Sequence, residues 1–182
     1  KENTNFFSPS FPTISATGAN GSIIHYKPNK NSSVLKQGEL YLCDSGGQYY
    51  GGTTDITRTI YLGDKPPETL KLIYTKVLLG HLNISMLKFP AGTRGYQLDS
   101  IARFNLWNDG LDYNHGTGHG VGSFLGVHEG PQSISKNATN VSLKPGMIIS
   151  NEPGFYKNKS FGIRIENLVL VKKSLFNNYF EF

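Results

Sequence analysis

The sequence of 182 residues is poor in cysteine, in charge and in long apolar runs. Its single cysteine, Cys43, excludes an intrachain disulfide framework and fits a reducing compartment. No stretch approaches the roughly 18 consecutive apolar residues of a transmembrane helix. The formal charge of +5 comes from scattered lysines rather than a basic run interleaved with aromatics, so a nucleic-acid surface is not expected. The composition therefore favours one ordinary globular domain.

The start of the chain indicates a piece of a longer polypeptide. Residue 1 is not Met, and the first ten residues lack the apolar region of a signal peptide. Glycine and proline are plentiful, with 21 and 9 residues, which is typical of strands joined by tight turns. We predict strands over residues 22–26, 39–45, 53–62, 147–151 and 161–171. Because strands lie both before and after a predicted pair of helices, we expect an α+β fold.

The two predicted helices follow from turn residues and apolar spacing. Pro66 and Pro67 precede Glu68, as at the first turn of a helix, and apolar residues then recur with a period of 3.6. His81 falls on that apolar face, so we expect it to be packed against the core. A second helix is predicted from about Gly95 to Asn108, before the stop signal of Gly110.

Four acidic residues stand in apolar, strand-like surroundings: Asp44, Asp55, Glu152 and Glu166. Acids are rarely buried unless they are paired or bind a metal. The first two flank the 46–52 turn almost symmetrically, and the last two flank the 157–160 turn in the same way. Residues equidistant from a hairpin turn face each other, so each acidic pair requires compensating positive charge. We expect Arg58 and Arg164 to neutralise one acid each, and a pair of divalent cations to account for the remainder.

A histidine-rich segment lies between the two acidic pairs. It reads His115-Gly-Thr-Gly-His119-Gly-Val-Gly and is followed by His128-Glu-Gly-Pro. Four carboxylates and one imidazole suit Mn²⁺, Co²⁺ or Zn²⁺ better than a thiolate-rich structural zinc site would. Two such cations close together are typical of metal-assisted amide hydrolysis.

The same segments carry a resemblance to a known family. Phe11-Pro-Thr-Ile-Ser, Asp44-Ser-Gly, Gly52-Thr-Thr-Asp-Ile-Thr-Arg-Thr, the histidine-rich segment, Asn151-Glu-Pro-Gly and Gly162-Ile-Arg-Ile-Glu-Asn look like the motifs of eukaryotic aminopeptidase P, an Xaa-Pro aminopeptidase family. The resemblance implies the pita-bread fold, a curved and mostly antiparallel sheet flanked by helices, here missing its N-terminal helices. Residues 1–182 would then be most of a single metallopeptidase catalytic domain, and we expect this fragment to be neither stable nor active alone.

The resemblance also implies the metal ligands. Asp44 would bind one cation, His119 and Glu152 the other, and Asp55 and Glu166 would bridge them. Mn²⁺ is preferred, with Zn²⁺ or Co²⁺ as alternatives. Glu152 would also act as general base toward a metal-bridging hydroxide, which hydrolyses the bond between an N-terminal residue and a following proline.

Three further histidines acquire roles in the same way. His128 would stabilise the charge on the scissile carbonyl, while His115 and His25 would shape the proline pocket; spacing alone leaves His25 undecided. Arg164 and Tyr156 would be supporting residues. The implied partners are peptides with proline in second position, without nucleic acid or membrane. The full-length protein is expected to be a homodimer, cytoplasmic unless a preceding targeting segment directs it to an organelle.

Three alternatives stay open at this point. The first is another hydrolase of the same fold, a prolidase or a methionine aminopeptidase. The second is a catalytically dead pita-bread module that binds peptide or histone. The third is a structural or adhesive surface protein. The presence of all five ligands argues against the last two, because inactive relatives typically lose metal ligands, and the single cysteine also argues against the third.

Overall fold

Every strand ladder in residues 5–182, the part of the chain that the computed structural model describes, is antiparallel. Two helices, α1 (Glu68–Ser85) and α2 (Tyr96–Trp107), and a 3₁₀ helix (Gly18–Ser22) accompany the strands. The strands are β1 (Phe6–Pro9), β2 (Ile14–Thr17), β3 (Leu40–Ser45), β4 (Gly47–Tyr49), β5 (Gly52–Thr53), β6 (Ile56–Tyr61), β7 (Lys88–Pro90), β8 (Gly118–His119), β9 (Ser133–Ile134), β10 (Ile148–Asn151), β11 (Gly154–Lys157), β12 (Phe161–Arg164), β13 (Asn167–Leu170), β14 (Lys172–Lys173) and β15 (Tyr179–Glu181). The expected α+β class is confirmed.

The start of α1 and both ends of α2 confirm the predictions to within one residue. The two helices cross closely at Gly80, where a Cβ atom would lie 2.2 Å from the carbonyl oxygen of Ala102, so only glycine fits. His81 on α1 is buried as expected. Its Nδ1 lies 3.0 Å from the carbonyl oxygen of Asn151, which fixes α1 against β10.

Two apolar clusters hold the helices on the sheets. One joins α1 and α2 to β7, β9 and β10 through buried residues that include Ile84, Ala102, Ile134 and Ile149. The other joins the same helices to β3 and β12. Burial of these side chains from water supplies the main stabilisation of the domain. The helices thereby pack against β3, which bears Asp44, and against β10 and β12, which end close to Glu152 and Glu166.

The hairpin prediction is confirmed for Glu152 and Glu166. The β10–β13 ladder ends at Asn151 opposite Asn167, and the β11–β12 ladder begins at Gly154 opposite Arg164. The same register runs through both ladders, so Glu152 and Glu166 lie opposite each other in the gap between them.

The same prediction is wrong in detail for Asp44 and Asp55. Asp44 on β3 is paired with Thr57, and Asp55 precedes β6 by one residue. The reason is that the 46–53 segment is no simple turn, because Gln48 and Thr53 pair in a separate small ladder between β4 and β5. Asp55 still lies on the same face as Thr57, two residues on, so it remains diagonal to Asp44.

The strand predicted over residues 22–26 is also wrong. The segment instead continues from the 3₁₀ helix into a turn and an open loop. Gly21 packs backbone to backbone on β12, where a Cβ atom on Gly162 would lie 1.8 Å from the Gly21 carbonyl oxygen. This packing leaves the β-branched residues Ile23 and Ile24 without a neighbouring strand. The predicted strands 53–62 and 161–171 are each divided in two, at the approaches to Asp55 and Glu166.

Candidate metal centre

One cavity of about 480 Å³ gathers all eight predicted site residues in its wall. Asp44 comes from β3, and Asp55 precedes β6. The remaining ligand candidates come from β8 and from the gap in the β10–β13 hairpin. The eight residues are His25, Asp44, Asp55, His115, His119, His128, Glu152 and Glu166.

The ring of His119 presents one nitrogen to the acids. Its Nδ1 lies 3.0 Å from the carbonyl oxygen of Gly120, so Nδ1 carries the proton and Nε2 is the atom left for a cation. Nε2 lies 3.4 Å from Oδ2 of Asp55 and 3.2 Å from Oε1 of Glu152. Burial disfavours the charged imidazole, but the hydrogen bonds to these two acids outweigh it and raise the pKa of His119 to about 10. In the metal-free site, Nε2 of His119 is therefore protonated.

Glu166 is the most deeply buried of the acids, with 1% of its surface exposed. The Thr57 hydroxyl donates a 2.6 Å hydrogen bond to Oε2, whereas Oε1 has no partner among the described residues. Burial, followed by the charges of Glu152, Asp55 and Asp44, raises the pKa of Glu166 to about 9. A buried carboxylate with a free oxygen and three acidic neighbours requires a cation or a proton.

Asp44 begins a chain of hydrogen bonds that ends at His115. Arg164 donates from Nη2 to Oδ2 of Asp44 at 2.7 Å and from Nη1 to the Tyr156 hydroxyl at 2.7 Å. That hydroxyl lies 2.8 Å from Nε2 of His115, whose Nδ1 faces the carbonyl oxygen of Gly116 at 2.8 Å. Burial raises the pKa of Asp44 to about 6 despite Arg164, and Oδ1 has no partner among the described residues.

The expectation for the two arginines is thus half correct. Arg164 neutralises Asp44, but Arg58 contacts no acidic side chain within residues 5–182. Its guanidinium donates to the backbone carbonyls of Thr57 and Glu166, at 2.9 and 2.6 Å, and to the side-chain oxygen of Asn167. Arg58 is exposed and fixes the backbone next to Glu166. Its guanidinium therefore binds neutral carbonyl and amide oxygens and does not neutralise a carboxylate of the site.

Glu152 stays ionised near neutral pH. Burial disfavours its charged form, but the hydrogen bond with His119 and the charges of His115, His119 and Arg164 lower its pKa below the ordinary value. The Ser150 hydroxyl donates to Oε1 at 3.0 Å and orients the carboxylate. An ionised carboxylate that is held in a fixed orientation beside a candidate metal site is suited to accept a proton.

Two exposed histidines lie at the cavity rim. The ring of His128 meets that of His119 edge to face, with centroids 4.2 Å apart. Partial desolvation and then the His119 charge lower the pKa of His128, so the ring is neutral at pH 7 and keeps one N–H to donate. His25 follows the 3₁₀ helix and also lines the cavity.

The donor set fits divalent cations. One ligand atom each of Asp55, His119 and Glu166 lies within 4.8 Å of the others. The unpartnered oxygens of Asp44 and Glu166 are buried acceptors without donors; among the described residues only the side-chain oxygens of Thr139 and Asn151, which do not line this cavity, are in the same state. Carboxylate oxygens with one imidazole nitrogen suit Mn²⁺, Co²⁺ or Zn²⁺.

The sequence analysis missed two buried charges behind the site. Asp99 and Arg103 on α2 are joined by a 2.6 Å ion pair, and both are buried. They stand four residues apart on the face predicted to point inward, next to Leu98 and Ala102. An acid–arginine pair at that spacing is a usual helix contact, and its position on the inward face was the available signal.

The structure also bears on membrane association. Neither α1 nor α2, the helices of residues 5–182, combines the length and apolar character needed to cross a bilayer.

Comparison with known proteins identifies relatives over the length of the chain. A model of metallopeptidase family M24 matches residues 1–173. The probable Xaa-Pro aminopeptidase P of Coprinopsis cinerea is 54% identical over 174 residues, which are 94% of this chain and 28% of that protein. The corresponding protein of Arthroderma otae is 57% identical over 171 residues, covering 92% and 27%. The chain thus spans less than a third of these curated relatives.

Solved structures agree with the sequence matches. The X-prolyl aminopeptidase of Caenorhabditis elegans, described as a cytosolic enzyme with a di-nuclear active site, superposes with a TM-score of 0.95 at 40% identity, over 99% of this chain and 30% of that one. The prolidase of Pyrococcus furiosus superposes with a TM-score of 0.81 at 34% identity, over 91% and 48%. The chain therefore belongs to metallopeptidase family M24 and has the pita-bread fold.

Proposed function

We propose that this chain carries the catalytic centre of an Xaa-Pro aminopeptidase, which removes an N-terminal residue that precedes proline. The supporting observation is the convergence of His119 Nε2 on Asp55 and Glu152, beside the unpartnered oxygens of Asp44 and Glu166. The two curated relatives described above are named probable Xaa-Pro aminopeptidase P, which supports the substrate class.

Five residues would hold two divalent cations, with Mn²⁺ preferred over Zn²⁺ or Co²⁺: Asp44, Asp55, His119, Glu152 and Glu166. When bound, such cations lower the pKa of a water molecule and polarise the carbonyl to be cleaved. The di-nuclear active site of the nematode X-prolyl aminopeptidase supports a pair of cations rather than a single ion.

Glu152 is the proposed general base. Its lowered pKa leaves the carboxylate free to accept a proton at neutral pH, and the Ser150 hydroxyl fixes its orientation. As the C–N bond breaks, the same carboxyl group can donate that proton to the proline nitrogen, which then leaves as a neutral amine.

The three other histidines of the site would stabilise the transition state and shape the substrate pocket. His128, neutral and at the rim, donates its N–H to the carbonyl oxygen as negative charge develops there. His115, held between Tyr156 and the carbonyl of Gly116, forms one wall of the pocket for the proline ring. His25 forms another wall. A pocket that accepts the ring favours a substrate that most peptidases reject.

The test uses the full-length protein loaded with Mn²⁺. We expect selective release of the first residue from a tripeptide Xaa-Pro-Xaa, little release from Xaa-Ala-Xaa, and loss of activity in Glu152→Gln. Glu68→Gln is the matched control, because Glu68 is an exposed residue that contacts Lys71. Its activity should equal that of the wild type. A folded, metal-loaded wild type that cleaves none of these peptides contradicts the proposal and favours a peptide-binding module.

Prolidase is the second candidate, because a prolidase structure shares the fold at a TM-score of 0.81. A prolidase cleaves the dipeptide Xaa-Pro in preference to longer peptides. Including that dipeptide in the same assay separates the two: preference for the tripeptide supports an aminopeptidase, and preference for the dipeptide supports a prolidase.

We also propose that the full-length protein is a cytosolic homodimer. The cytosolic assignment of the nematode relative supports the compartment. Light scattering of the purified protein tests the assembly, and fractionation of cells tests the location.

A further inference from the structure

Arg103 is buried, with 1% of its surface exposed, and each of its five N–H groups donates to an acceptor within the protein. Nε and Nη2 donate to the two oxygens of Asp99, at 2.6 and 3.2 Å. Nη1 donates to Asp112 at 2.7 Å and to the backbone carbonyl of Tyr113 at 2.7 Å. The last N–H, on Nη2, donates to the backbone carbonyl of His115 at 2.7 Å. The guanidinium is therefore fully used.

Asp99 extends the same contact to the other side of the loop. The Thr117 hydroxyl donates to Oδ1 of Asp99 at 2.7 Å and contacts the Tyr113 hydroxyl at 2.5 Å. The Tyr113 ring lies on the guanidinium, with its centroid 3.8 Å from Cζ of Arg103. The loop 113–117 is thus held at three successive odd-numbered residues by one ion pair on α2.

The loop in turn contacts the metal centre. The Glu152 amide donates to the carbonyl of Thr117 at 2.8 Å, and His119 follows two residues after Thr117. His115 itself lines the cavity. The loop therefore bears a pocket residue at its middle, His115, and adjoins the ligand candidates His119 and Glu152 at its C-terminal end.

We propose that Arg103, with Asp99 as its partner, is a positioning residue that fixes His115 in the substrate pocket. The role of His115 in that pocket rests on the proposed function. A buried ion pair is weak support for stability alone, because desolvation offsets its attraction. The pair instead provides geometry. The planar guanidinium of Arg103 holds the carbonyls of Tyr113 and His115 and the carboxylate of Asp112 in one arrangement. The ammonium group of a lysine, with three donors, cannot reproduce that arrangement.

The discriminating variant is Arg103→Lys in the full-length protein, because it keeps the buried charge and removes the fork. Arg94→Lys is the matched control: Arg94 stands just before α2, and the one partner of its guanidinium among the described residues is the side-chain oxygen of Asn140, at 3.4 Å. In Arg103→Lys we expect kcat/KM for the Xaa-Pro tripeptide to fall at least tenfold, mainly through KM. The preference for Xaa-Pro over Xaa-Ala should fall with it.

A merely structural role gives a different result. Fewer correctly folded molecules would lower kcat for both peptides equally and leave KM and the preference unchanged, which overturns the proposal. Hydrogen exchange supplies a readout independent of activity: amides of the 113–119 segment should exchange at least tenfold faster in Arg103→Lys, with the β3 peptide unchanged. If the wild type cleaves no Xaa-Pro peptide, the proposed function fails, and the exchange result still decides whether Arg103 holds the loop. Unchanged exchange in that segment contradicts the positioning role.

Discussion

The Thr57 hydroxyl is shared between Glu166 and Arg164. It donates to Oε2 of Glu166 at 2.6 Å and accepts from Nε of Arg164 at 3.2 Å. Because Arg164 also binds Asp44, a single buried hydroxyl connects acids from opposite ends of the chain. One oxygen of Glu166 is thereby held, and the other is left toward the metal centre.

Replacing that hydroxyl should weaken metal binding. In Thr57→Val, Glu166 loses its donor and its orientation, so we expect affinity for Mn²⁺ to fall about 10- to 100-fold, the usual cost of removing a group that orients a ligand. Titration of the metal-free full-length protein by calorimetry measures this.

Thr59→Val is the matched control on the same strand face. Thr59 is buried and bonds only the backbone of Arg164, at 2.9 and 3.1 Å. It should lose about 1–3 kcal/mol of unfolding free energy with little change in Mn²⁺ affinity. Equal loss of affinity in both variants would show that Thr57 acts through the strand rather than through Glu166.

Removal of the cations should make stability fall as pH rises. The pKa of Glu166, about 9, and that of His119, about 10, lie above the ordinary values of these groups. The folded metal-free protein therefore holds protons that the unfolded chain releases, and its stability decreases between about pH 4.5, the ordinary pKa of Glu166, and about pH 10, the folded-state pKa of His119. We expect chelation to lower Tm more at pH 8.5 than at pH 6, and Mn²⁺ to restore it.

Glu166→Gln provides the check on that pH dependence. The amide cannot ionise, so the metal-free variant should be more stable than the metal-free wild type at pH 8.5. An identical pH dependence in both proteins would assign the effect to other groups.

His128 should affect turnover more than binding. Loss of its N–H in His128→Phe removes a donor to the developing oxyanion, and we expect kcat to fall about 10²- to 10³-fold. KM and bound Mn²⁺ should stay close to the wild-type values. Steady-state kinetics with metal analysis test this, and a change confined to KM would instead make His128 a binding residue.

The backbone contact between Gly21 and Gly162 should position His25, which lines the cavity and follows the 3₁₀ helix. In Gly162→Ala, the added Cβ would lie 1.8 Å from the Gly21 carbonyl oxygen, so the 3₁₀ helix must shift. We expect a raised KM and a lowered Tm. Gly51→Ala is the control, because a Cβ atom there meets nothing within 4 Å, and both quantities should be unchanged.

The predictable part of the fold and site is local in sequence. The helix boundaries followed from Pro66, Pro67 and the apolar period, and the facing of Glu152 and Glu166 followed from a true hairpin. The rule that residues equidistant from a turn face each other failed for Asp44 and Asp55. A second small ladder, in which Gln48 pairs with Thr53, occupies the segment between them. Counting residues from a turn cannot reveal an inserted ladder.

The remainder depends on distant contacts. Ile23 and Ile24 have strand propensity, but the 3₁₀ helix before them packs on Gly162, more than a hundred residues away, and context overrides propensity. Arg58 looked equivalent to Arg164, yet only the fold shows that it reaches carbonyl groups. For Asp99 and Arg103, spacing suggests the pair, whereas their hydrogen-bond partners on the 113–117 loop appear only in three dimensions.

The shared register of the β10–β13 and β11–β12 ladders also bears on the order of folding. Glu152 and Glu166 meet through a short loop, whose closure costs little entropy, whereas Asp44 meets Arg164 across 120 residues of chain. We expect the pair Glu152 and Glu166 to form early with the hairpin, and Asp44 to join the metal centre later, when β3 docks. Full cation affinity would then be a reporter of completed folding.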